Sequence, residues 1–394
     1  MRLLHVIPSS SPAYGGPIEG LIRQNETTLG MVERELVTLD RPEDPWVGGC
    51  PMTVHPMGKR RPTKGWPAHY GYTPDLIPWL RENLTRYDAA VVHGLWNYAS
   101  FAASRVLPHS SLPYFVFSHG MLDPWFKARY PLKHLAKQAF WTVADGPLLS
   151  GAQAVFFTTE EEKLLAHNQF FGHRYRPKVV GYGTARTPIA TPLQKQAFEA
   201  LTPGLAGQRY LLFLSRIHPK KGCDLLIRAF AETAHLDPTL HLVIAGPDEI
   251  GIVNDLKAQA AAAGIADRIH WPGLLKGDAK WGAFHHCEAF VLPSHQENFG
   301  IAVAEALACG RPVLITDKVN IWREVSNANA GLVETDDQAG TTRLLQRWAE
   351  LTPEEKNVMA SSSSRLFFEK FDVSRTGPAL IELIREQVVA LQVV

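Results

Sequence analysis

Residues 295–312, His-Gln-Glu-Asn-Phe-Gly-Ile-Ala-Val-Ala-Glu-Ala-Leu-Ala-Cys-Gly-Arg-Pro, place two carboxylates in an otherwise apolar part of the chain. The stretch 301–309 is small and apolar apart from Glu305, and Gly310 and Pro312 end it, which predicts a short buried helix. A carboxylate inside such a helix is costly to ionise unless something hydrogen-bonds it. We therefore expect Glu305 to have a partner or a ligand.

The second carboxylate, Glu297, lies in the loop that leads into this helix, directly before Asn298, Phe299 and Gly300. Backbone N–H groups at a helix N-terminus bind anions, because they point outward at the positive end of the helix dipole. The pattern predicts a phosphate site between the two carboxylates. The alternative is purely structural: Glu297 caps the helix and Glu305 is buried by chance.

Short apolar segments bounded by turn residues alternate with helix-like segments on both sides of this stretch. We predict buried strands at Leu3–Ile7, Ala89–His93, Tyr114–Ser118, Ala154–Thr158, Tyr210–Ser215, His241–Ala245, Arg268–Trp271, Ala289–Leu292 and Pro312–Thr316. We predict helices at Pro17–Leu29, at Pro131–Val143 and after Thr158, where Thr159 and Glu162 would form a capping box. This alternation predicts an α/β fold with doubly wound parallel sheets.

The chain of 394 residues is too long for one comfortable core, so two domains are expected. The segment from Gly181 to Gly207 is rich in Pro, Gly and Thr and predicts a linker, which we place at 186–207. The predicted domains are 1–185 and 208–372, followed by a terminal helix in 373–394. Two such domains would meet across a cleft, with ligands outside the carboxyl ends of the strands.

Two further loops carry residues suited to anions. Arg216 and Lys221 lie in the strand-to-helix turn after Tyr210–Ser215, where two cations would attract a diphosphate. Gly15 and Gly16 follow the first strand and precede a helix, which would let backbone N–H groups approach an anion. A solvated basic loop and a plain strand-to-helix turn are the respective alternatives.

Composition excludes several classes of protein. A net charge of +1 argues against a dedicated nucleic-acid binder. Four cysteines without a C-x-x-C pair indicate neither a disulfide framework nor a zinc site. No apolar run is long enough for a membrane span, and the N-terminal apolar segment is too short for a signal peptide, so a cytoplasmic location is expected. The absence of G-x-G-x-x-G disfavours a dehydrogenase.

Taken in order, these motifs resemble those of the retaining glycosyltransferases of family 4, which have the GT-B fold. The E-x7-E pattern is met by Glu297 and Glu305, and the following A-x-G-x-P-V is met by 308–313. The R-x4-K-G pattern is met by 216–222. Two further landmarks of the family are matched, Ala-Gly-Pro at 245–247 and Val-Leu-Pro-Ser at 291–294.

The resemblance implies a role for each matched position. Arg216 and Lys221 would hold the diphosphate of a nucleotide-sugar, helped by Gly15 and Gly16, and Glu305 would accept hydrogen bonds from the ribose. Glu297 and the N–H groups of Asn298, Phe299 and Gly300 would position the donor sugar. The base would lie near Leu274, and His119 would lie near the anomeric carbon.

The resemblance also implies transfer with retention, without a cofactor and without a metal. It implies that domain 1–185 binds the acceptor and domain 208–372 the nucleotide-sugar, and that the terminal helix in 373–394 crosses back to the first domain. No D-x-D diad occurs in the chain, which fits the metal-independent type.

The run from His119 to Trp125, His-Gly-Met-Leu-Asp-Pro-Trp, resembles that of bacterial enzymes that assemble surface polysaccharides. Aromatic faces beside polar groups suit a sugar acceptor, so Trp96, Asn97, Asp123 and Trp125 are candidate acceptor residues. The acceptor would be a glycan or a lipid-linked glycan.

Residues 51–150 carry 11 basic and 5 acidic side chains. The basic residues include Lys59, Arg60, Arg61, Lys127, Arg129, Lys133 and Lys137, and the aromatic residues among them are Trp125, Phe126, Phe140 and Trp141. This pattern predicts peripheral contact with an anionic inner membrane face. A solvated face or a site for an anionic acceptor would give the same pattern.

Two other functions fit the same motifs. A nucleotide-sugar epimerase of this architecture would convert its donor without an acceptor. A non-catalytic nucleotide-sugar sensor would bind the donor without converting it.

Overall fold

The computed structural model describes residues 1–59, 70–125, 127 and 130–392, and divides the chain into two units. Unit 1 comprises Met1–Gly183 together with Val373–Val394, and unit 2 comprises Thr184–Asp372. Each unit is built around one parallel sheet with helices on its faces, which confirms the predicted α/β doubly wound class.

The sheet of unit 1 has seven strands in the order β3-β2-β1-β4-β5-β6-β7. Its strands are β1 Arg2–Val6, β2 Glu33–Thr38, β3 Thr53–Pro56, β4 Ala89–His93, β5 Tyr114–Phe117, β6 Ala154–Phe157 and β7 Pro177–Val179. Its helices are α1 Gly16–Thr27, α2 Pro45–Gly48, α3 Leu76–Asn83, α4 Tyr98–Val106, α5 Pro131–Phe140, α6 Gly146–Gly151, α7 Glu160–Ala166 and, at the end of the chain, α16 Val373–Gln392. The strand order reverses between β1 and β4.

The sheet of unit 2 has six strands in the order β10-β9-β8-β11-β12-β13. Its strands are β8 Arg209–Leu214, β9 Leu240–Ala245, β10 Ile269–Gly273, β11 Ala289–Leu292, β12 Val313–Thr316 and β13 Gly331–Glu334. Its helices are α8 Pro192–Glu199, α9 Cys223–Thr233, α10 Val253–Ala262, α11 Gly277–His286, α12 Ile301–Ala308, α13 Trp322–Asn327, α14 Gln338–Glu350 and α15 Pro353–Leu366. The order reverses between β8 and β11, which makes the carboxyl ends of these two strands the expected ligand site.

The central strands form where the sequence predicts them, and β4 and β11 have the predicted bounds. Every residue of both strands is buried, because helices cover both faces of a parallel sheet. Four strands were not predicted: β2, β3, β7 and β13. Charged residues at 33–35 interrupt the apolar pattern of β2, and β7 has only three residues and begins with a proline.

The segment 186–207, predicted to be a linker, belongs to unit 2 and contains the helix α8. Thr191 caps this helix, and its hydroxyl and the Gln194 side chain form a reciprocal capping box. A Cβ on Gly282 would lie 2.0 Å from the Gln194 carbonyl oxygen, so α8 lies directly against α11. The Thr and Pro residues that suggested a linker are the residues that start a helix.

The terminal helix α16 belongs to unit 1 rather than to the unit that precedes it in sequence. Ile381 and Ile384 are buried in one apolar cluster with Leu3, Phe115 and Phe156 of the first sheet. The Arg385 guanidinium donates a hydrogen bond to the Met31 carbonyl oxygen over 3.3 Å. The helix therefore covers one face of the sheet in unit 1.

Candidate functional site

The site in unit 2 is built at the point where the strand order reverses. β8 and β11 are neighbouring parallel strands, with Phe290 in register with Leu212. The loop after β8 carries Lys221, and the loop after β11 carries Glu297. The Lys221 ammonium forms an ion pair with the Glu297 carboxylate, and the Lys221 side chain is only 6% exposed. The structure thus brings together two predicted residues that are far apart in sequence, one from each of the two loops.

Gly222 lets the Lys221 loop lie against the loop after β11. Its φ is +69°, a left-handed conformation that glycine adopts without steric cost. A Cβ at this position would lie 2.1 Å from the Pro293 carbonyl oxygen. The glycine of the K-G motif is therefore required both by backbone conformation and by close packing.

Ser294 and His295 join the two loops through the Lys220 backbone. The Lys220 carbonyl oxygen accepts hydrogen bonds from the Ser294 hydroxyl at 3.1 Å and from the His295 N–H at 2.9 Å. Ser294 is buried, and its own carbonyl oxygen accepts a hydrogen bond from the Thr316 hydroxyl. These bonds fix the position of Lys221 relative to the loop that carries Glu297.

The backbone of Glu297 is held on both sides, so its side chain is presented from a fixed point. Its N–H donates to the Lys318 carbonyl oxygen at 2.9 Å, and its carbonyl oxygen accepts from the Asn320 N–H at 3.0 Å. The side-chain amide of Asn320 donates a second hydrogen bond, to the side-chain oxygen of Asn298 at 3.3 Å. Gly300, with a φ of +76°, is the N-cap residue of α12, and the first N–H groups of a helix have no partner within it.

Glu305 lies within α12 and is buried, as the sequence predicts. Its carboxylate forms an ion pair with the Lys280 ammonium at 2.6 Å. Lys280 lies on α11, and its ammonium also lies 4.7 Å from the centre of the Trp281 ring. Glu305 thus has the partner that the sequence analysis expected for a buried carboxylate, and that partner is Lys280, which the sequence analysis did not name.

The remaining predicted residues of unit 2 lie in the surrounding loops. Arg216 is exposed, and its guanidinium forms an ion pair with Glu249 at 3.1 Å. Leu274 is 54% exposed in the loop after β10. Phe299 is buried, with its ring edge-on to Phe371 at 5.5 Å between centroids. Arg216 and Leu274 are thus open to solvent, whereas Phe299 contributes packing in addition to its backbone.

Gly15, Gly16 and His119 lie in unit 1. Gly15 has a φ of +81° and precedes α1, and the Gly16 carbonyl oxygen accepts a hydrogen bond from the Tyr182 hydroxyl at 2.9 Å. His119 follows β5 and has a φ of +49°, which is uncommon for a residue other than glycine. A conformation of this kind at a strand end is typical of functional residues.

A buried carboxylate holds the His119 turn. Glu162 accepts hydrogen bonds from the Ser118 hydroxyl at 2.8 Å, from the Gly120 N–H at 2.7 Å, and from both the N–H and the hydroxyl of Thr158 at 2.7 Å. The predicted capping box is therefore wrong in one half. Thr159 caps α7 as expected, but the Glu162 side chain binds the neighbouring loop instead of the Thr159 N–H.

Three histidines of unit 1 form a hydrogen-bonded row. His5 Nδ1 lies 2.9 Å from His93 Nε2, and His93 Nδ1 lies 3.0 Å from His119 Nε2. Burial lowers the pKa of His119 to about 4 and holds the pKa values of His5 and His93 well below the usual range. All three rings are therefore neutral at pH 7.

The candidate acceptor residues lie in two turns of unit 1. Trp96 has a φ of +65°, and its N–H donates to Asp145 at 2.9 Å. Asn97 uses its amide locally: the oxygen caps α4 and the nitrogen donates to the Leu95 carbonyl oxygen. Asp123 accepts a hydrogen bond from the Trp125 N–H at 2.8 Å. Among the four candidate acceptor residues, Asn97 is therefore a buried residue whose side chain caps a helix.

A pocket of about 500 Å³ lies next to these turns within unit 1. Its lining includes Leu122, Trp141, Phe170 and Tyr175. The Phe170 ring lies 5.0 Å from Trp96 and 5.1 Å from Trp141, measured between centroids. The pocket therefore continues the aromatic surface that Trp96 begins.

The geometry of both units agrees with comparisons with known proteins. Residues 202–364 match the family described as Glycosyl transferases group 1, and residues 29–183 match the Glycosyl transferase 4-like domain. The chain belongs to the group 1 glycosyltransferases. The two matches confirm the resemblance to glycosyltransferase family 4.

A curated relative and two solved structures are similar to this chain. The D-inositol 3-phosphate glycosyltransferase of Saccharomonospora viridis is 32% identical over 190 residues, which are 46% of this chain and 44% of that relative. The chain thus spans less than half of the length of this curated relative. The HepE protein of Anabaena, solved in complex with UDP and glucose, has a TM-score of 0.75 at 17% identity, covering 98% of this chain and 99% of HepE. WaaG, a glycosyltransferase involved in lipopolysaccharide biosynthesis, has a TM-score of 0.67 at 15% identity, covering 98% and 99%. The fold of this glycosyltransferase family member is GT-B.

Sequence analysis assigned no site role to Lys280, His93 or His5, and it gave Glu162 only a helix-capping role. The pairing of Lys280 with Glu305 could not be predicted, because the sequence pattern of one helix does not show which residues of another helix it contacts. The row of histidines could not be found either, because it depends on the order and register of the strands that carry His5 and His93.

The structure gives two further findings on metals and membranes. Among the described residues, no three His, Cys, Asp or Glu side chains are grouped so that they could hold a metal ion. No helix in the described part of the chain combines the length and the hydropathy that a bilayer span requires. Of the predicted basic and aromatic surface, Arg60, Arg61, Phe126 and Arg129 lie outside the described residues.

Proposed function

We propose that this chain transfers a sugar from a nucleoside-diphosphate donor to a hydroxyl group of a glycan or lipid-linked acceptor. The observation that carries the proposal is the Lys221–Glu297 ion pair at the reversal point of the second sheet, next to the N-terminus of α12. A buried cation and a fixed carboxylate beside free helical N–H groups suit a ligand that has both a diphosphate and a sugar. Membership of the group 1 glycosyltransferases supports the same activity.

Charge development explains what each group would do. Breaking the bond between the anomeric carbon and the phosphate oxygen leaves negative charge on the diphosphate and an oxocarbenium-like sugar. The Lys221 ammonium, the Arg216 guanidinium and the N-terminus of α12 would stabilise the departing oxyanion. Glu297 would accept hydrogen bonds from the sugar hydroxyls, and Glu305 would accept them from the ribose.

Retention of anomeric configuration and independence of metals are part of the proposal. Both are supported by the family 4 motifs, and the absence of a D-x-D diad agrees with a diphosphate that is held by protein cations. A uridine nucleotide is a reasonable first donor to test, because HepE was solved with UDP.

Binding of nucleoside diphosphates tests the donor site directly. We expect one of UDP, GDP and ADP to raise the melting temperature without magnesium, because a ligand of the folded state stabilises it by about 2.7 kcal/mol at 100 times its Kd. Glu305→Ala should abolish this shift, because the ribose hydroxyls lose their acceptor. The measurement is thermal unfolding with each nucleotide, with and without magnesium.

Lys280→Met is the matched control for Glu305→Ala. It removes the same ion pair but keeps the carboxylate, so the nucleotide should still stabilise the variant. If no nucleotide stabilises the wild-type protein even at millimolar concentration, the proposed donor site is wrong.

We propose that the acceptor binds unit 1, at the aromatic surface around Trp96 and Trp125. Support comes from the pocket of about 500 Å³ that continues this surface and from the half-buried positions of both indoles. Indole faces suit the apolar faces of sugar rings, and the adjoining polar groups can select hydroxyl positions.

We further propose that helix α5 rests on an anionic membrane surface at the cytoplasmic face, where lipid-linked acceptors are found. Leu132 and Leu135 lie on adjacent turns of this helix and are 81% and 66% exposed. Lys133 and Lys137 lie on the same helix, and no residue of α5 is buried. Exposed leucines beside lysines are the pattern of a helix that lies in a bilayer interface.

Vesicle co-sedimentation tests this surface. The wild-type protein should sediment with anionic vesicles at low salt, and Leu132→Ser/Leu135→Ser should reduce the bound fraction several-fold, because two buried leucines contribute about 1.5–3 kcal/mol each. Ile189→Ser/Leu193→Ser is the control, since it removes two exposed apolar side chains of unit 2 and should leave binding unchanged. Absence of wild-type binding to anionic vesicles would rule the membrane contact out.

A further inference from the structure

The row of histidines in unit 1 arises from the register of three parallel strands. His5 on β1 is in register with Val91 of β4, so His93, two residues later, points to the same face of the sheet. His93 is in register with Phe117 of β5, and the turn after Phe117 brings His119 onto the same row. The rings of His93 and His119 are stacked at 5.3 Å between centroids. Register therefore places the three rings in one row, in which His5 Nδ1 faces His93 Nε2 and His93 Nδ1 faces His119 Nε2.

A neutral imidazole carries one proton, so a row of three rings has two internally consistent states. In one state His5 donates from Nδ1 to His93, His93 donates from Nδ1 to His119, and the free Nδ1 of His119 carries a proton. In the other state every proton moves to Nε2, His119 donates to His93, and His93 donates to His5. The two states differ at both ends of the row.

The inner end of the row distinguishes the two states. His5 is 4% exposed, and within the described part of the chain its Nε2 is buried without a hydrogen-bond partner. In the second state this atom would be an N–H donor with no acceptor, whereas in the first it is a bare lone pair. A buried donor without a partner loses its hydrogen bond to water, so the first state is favoured.

The charge of Arg34 favours the same first state, in which His5 carries its proton on Nδ1. It lies on β2 in register with Leu3, on the side of the sheet that carries His5, and it is 4% exposed. Its Nη1 donates to the Thr28 hydroxyl at 2.6 Å, while Nε and Nη2 have no hydrogen-bond partner among the described residues. In addition to burial, the Arg34 charge lowers the pKa of His5, and a guanidinium that stays charged favours a lone pair over an N–H on the His5 ring.

We propose that Arg34, acting through His5 and His93, fixes His119 in the tautomer that carries its proton on Nδ1. Arg34, His5 and His93 are positioning residues, since they act on a ligand only through His119. His119 Nδ1 is the outer end of the row, since the hydrogen bond between His93 and His119 uses Nε2 of His119. His119 therefore meets a ligand as a hydrogen-bond donor and not as a base.

This tautomer specifies the chemistry of the ligand atom that His119 takes. An N–H donor suits an oxygen with a free lone pair, such as a sugar hydroxyl or a phosphate oxygen. The assignment to the donor sugar or its diphosphate rests on the proposed function, whereas the tautomer itself does not. A role in removing a proton from the acceptor hydroxyl is excluded for a nitrogen that already holds a proton.

Nitrogen NMR of the imidazole side chains reads the tautomer in the free protein. With histidines labelled on the ring nitrogens, and signals assigned by single His→Gln variants, a protonated and an unprotonated nitrogen are widely separated. We expect Nδ1–H in His5, His93 and His119 at pH 7, in at least about fivefold excess, the ratio that one lost buried hydrogen bond produces. Isolated histidine prefers Nε2–H, so this result is not the default. Nε2–H in His119 of the wild-type protein would overturn the proposal.

Variants of Arg34 and Thr28 test the source of the preference. Arg34→Gln removes the charge and offers an acceptor to His5 Nε2, so it should move all three histidines toward Nε2–H. Thr28→Val is the control: it removes the hydrogen bond of Arg34 but keeps its charge, and the tautomers should not change. An unchanged row in a folded Arg34→Gln protein would overturn the role of Arg34.

The two proposals can fail separately. Loss of nucleotide stabilisation would contradict the donor site and leave the tautomer standing. An Nε2–H tautomer alongside normal nucleotide binding would contradict the histidine row and leave the donor site standing.

Discussion

Replacement of Glu297 by glutamine is expected to lower sugar transfer by roughly 10²–10³-fold, the range found when one group that stabilises a transition state is removed. The change keeps the size of the side chain and one acceptor oxygen, but it removes the negative charge that, in the proposed site, would face the developing positive charge on the sugar. Nucleotide binding should persist, because Glu305 and Lys221 remain. The measurement is kcat/KM with a nucleotide-sugar, together with the thermal shift produced by the nucleoside diphosphate.

Glu334→Gln provides the matched control for this variant. Like Glu297, Glu334 is a half-buried carboxylate of unit 2; it is the last residue of β13 and is paired with Arg343 and Arg347. Its replacement should leave transfer unchanged. Transfer by Glu297→Gln at the wild-type rate would refute the role of this carboxylate.

The same assay separates the three functions that fit the motifs. A transferase consumes its donor and extends an acceptor, an epimerase converts the donor when no acceptor is present, and a sensor binds the nucleotide without converting it. The Glu297→Gln variant should retain only binding. Wild-type protein that shows binding but no conversion with any acceptor tested would support the sensor instead.

The positions of much of the proposed donor site could be predicted from sequence, because its residues follow predictable strands. β8 and β11 are fully apolar at their centres, so the positions of Arg216 and Glu297 at their carboxyl ends were visible. The burial of Glu305 was also predictable, since no other polar residue shares its helix. Its pairing with Lys280 was not, because contact between two helices depends on how they pack on the sheet.

The parts of the fold that were not predicted are those where the same residue types occur in two kinds of local structure. Residues 33–35 of β2 include Glu35, which is buried and bonded to Tyr87 and His55, so a charged residue lies in a strand interior. Thr191 and Pro192 start a helix although the same residue types occur in linkers. The row of histidines needed strand register, which a single sequence does not supply.

Replacement of Lys221 by methionine should remove both transfer and nucleotide stabilisation, in contrast to Glu297→Gln. Methionine fills a similar volume in a side-chain position that is only 6% exposed, so the loss is one of charge rather than of packing. We expect kcat/KM to fall by roughly 10²–10³-fold, because the leaving diphosphate loses a preorganised cation. Steady-state kinetics and the thermal shift with the nucleoside diphosphate measure the two effects.

Lys220→Met is the control, since it removes the adjacent cation and leaves the Lys220 carbonyl that holds Ser294 and His295. Equal losses in both variants would mean that the loop attracts the diphosphate only by its overall charge.

The double variant Lys221→Met/Glu297→Gln separates binding from folding. Each single change leaves a charged or polar partner unpaired near the core, so the double variant should be more stable than the sum of the two single effects implies. Stability would then be recovered while nucleotide binding stays lost, because a diphosphate requires the cation itself and not merely an intact loop.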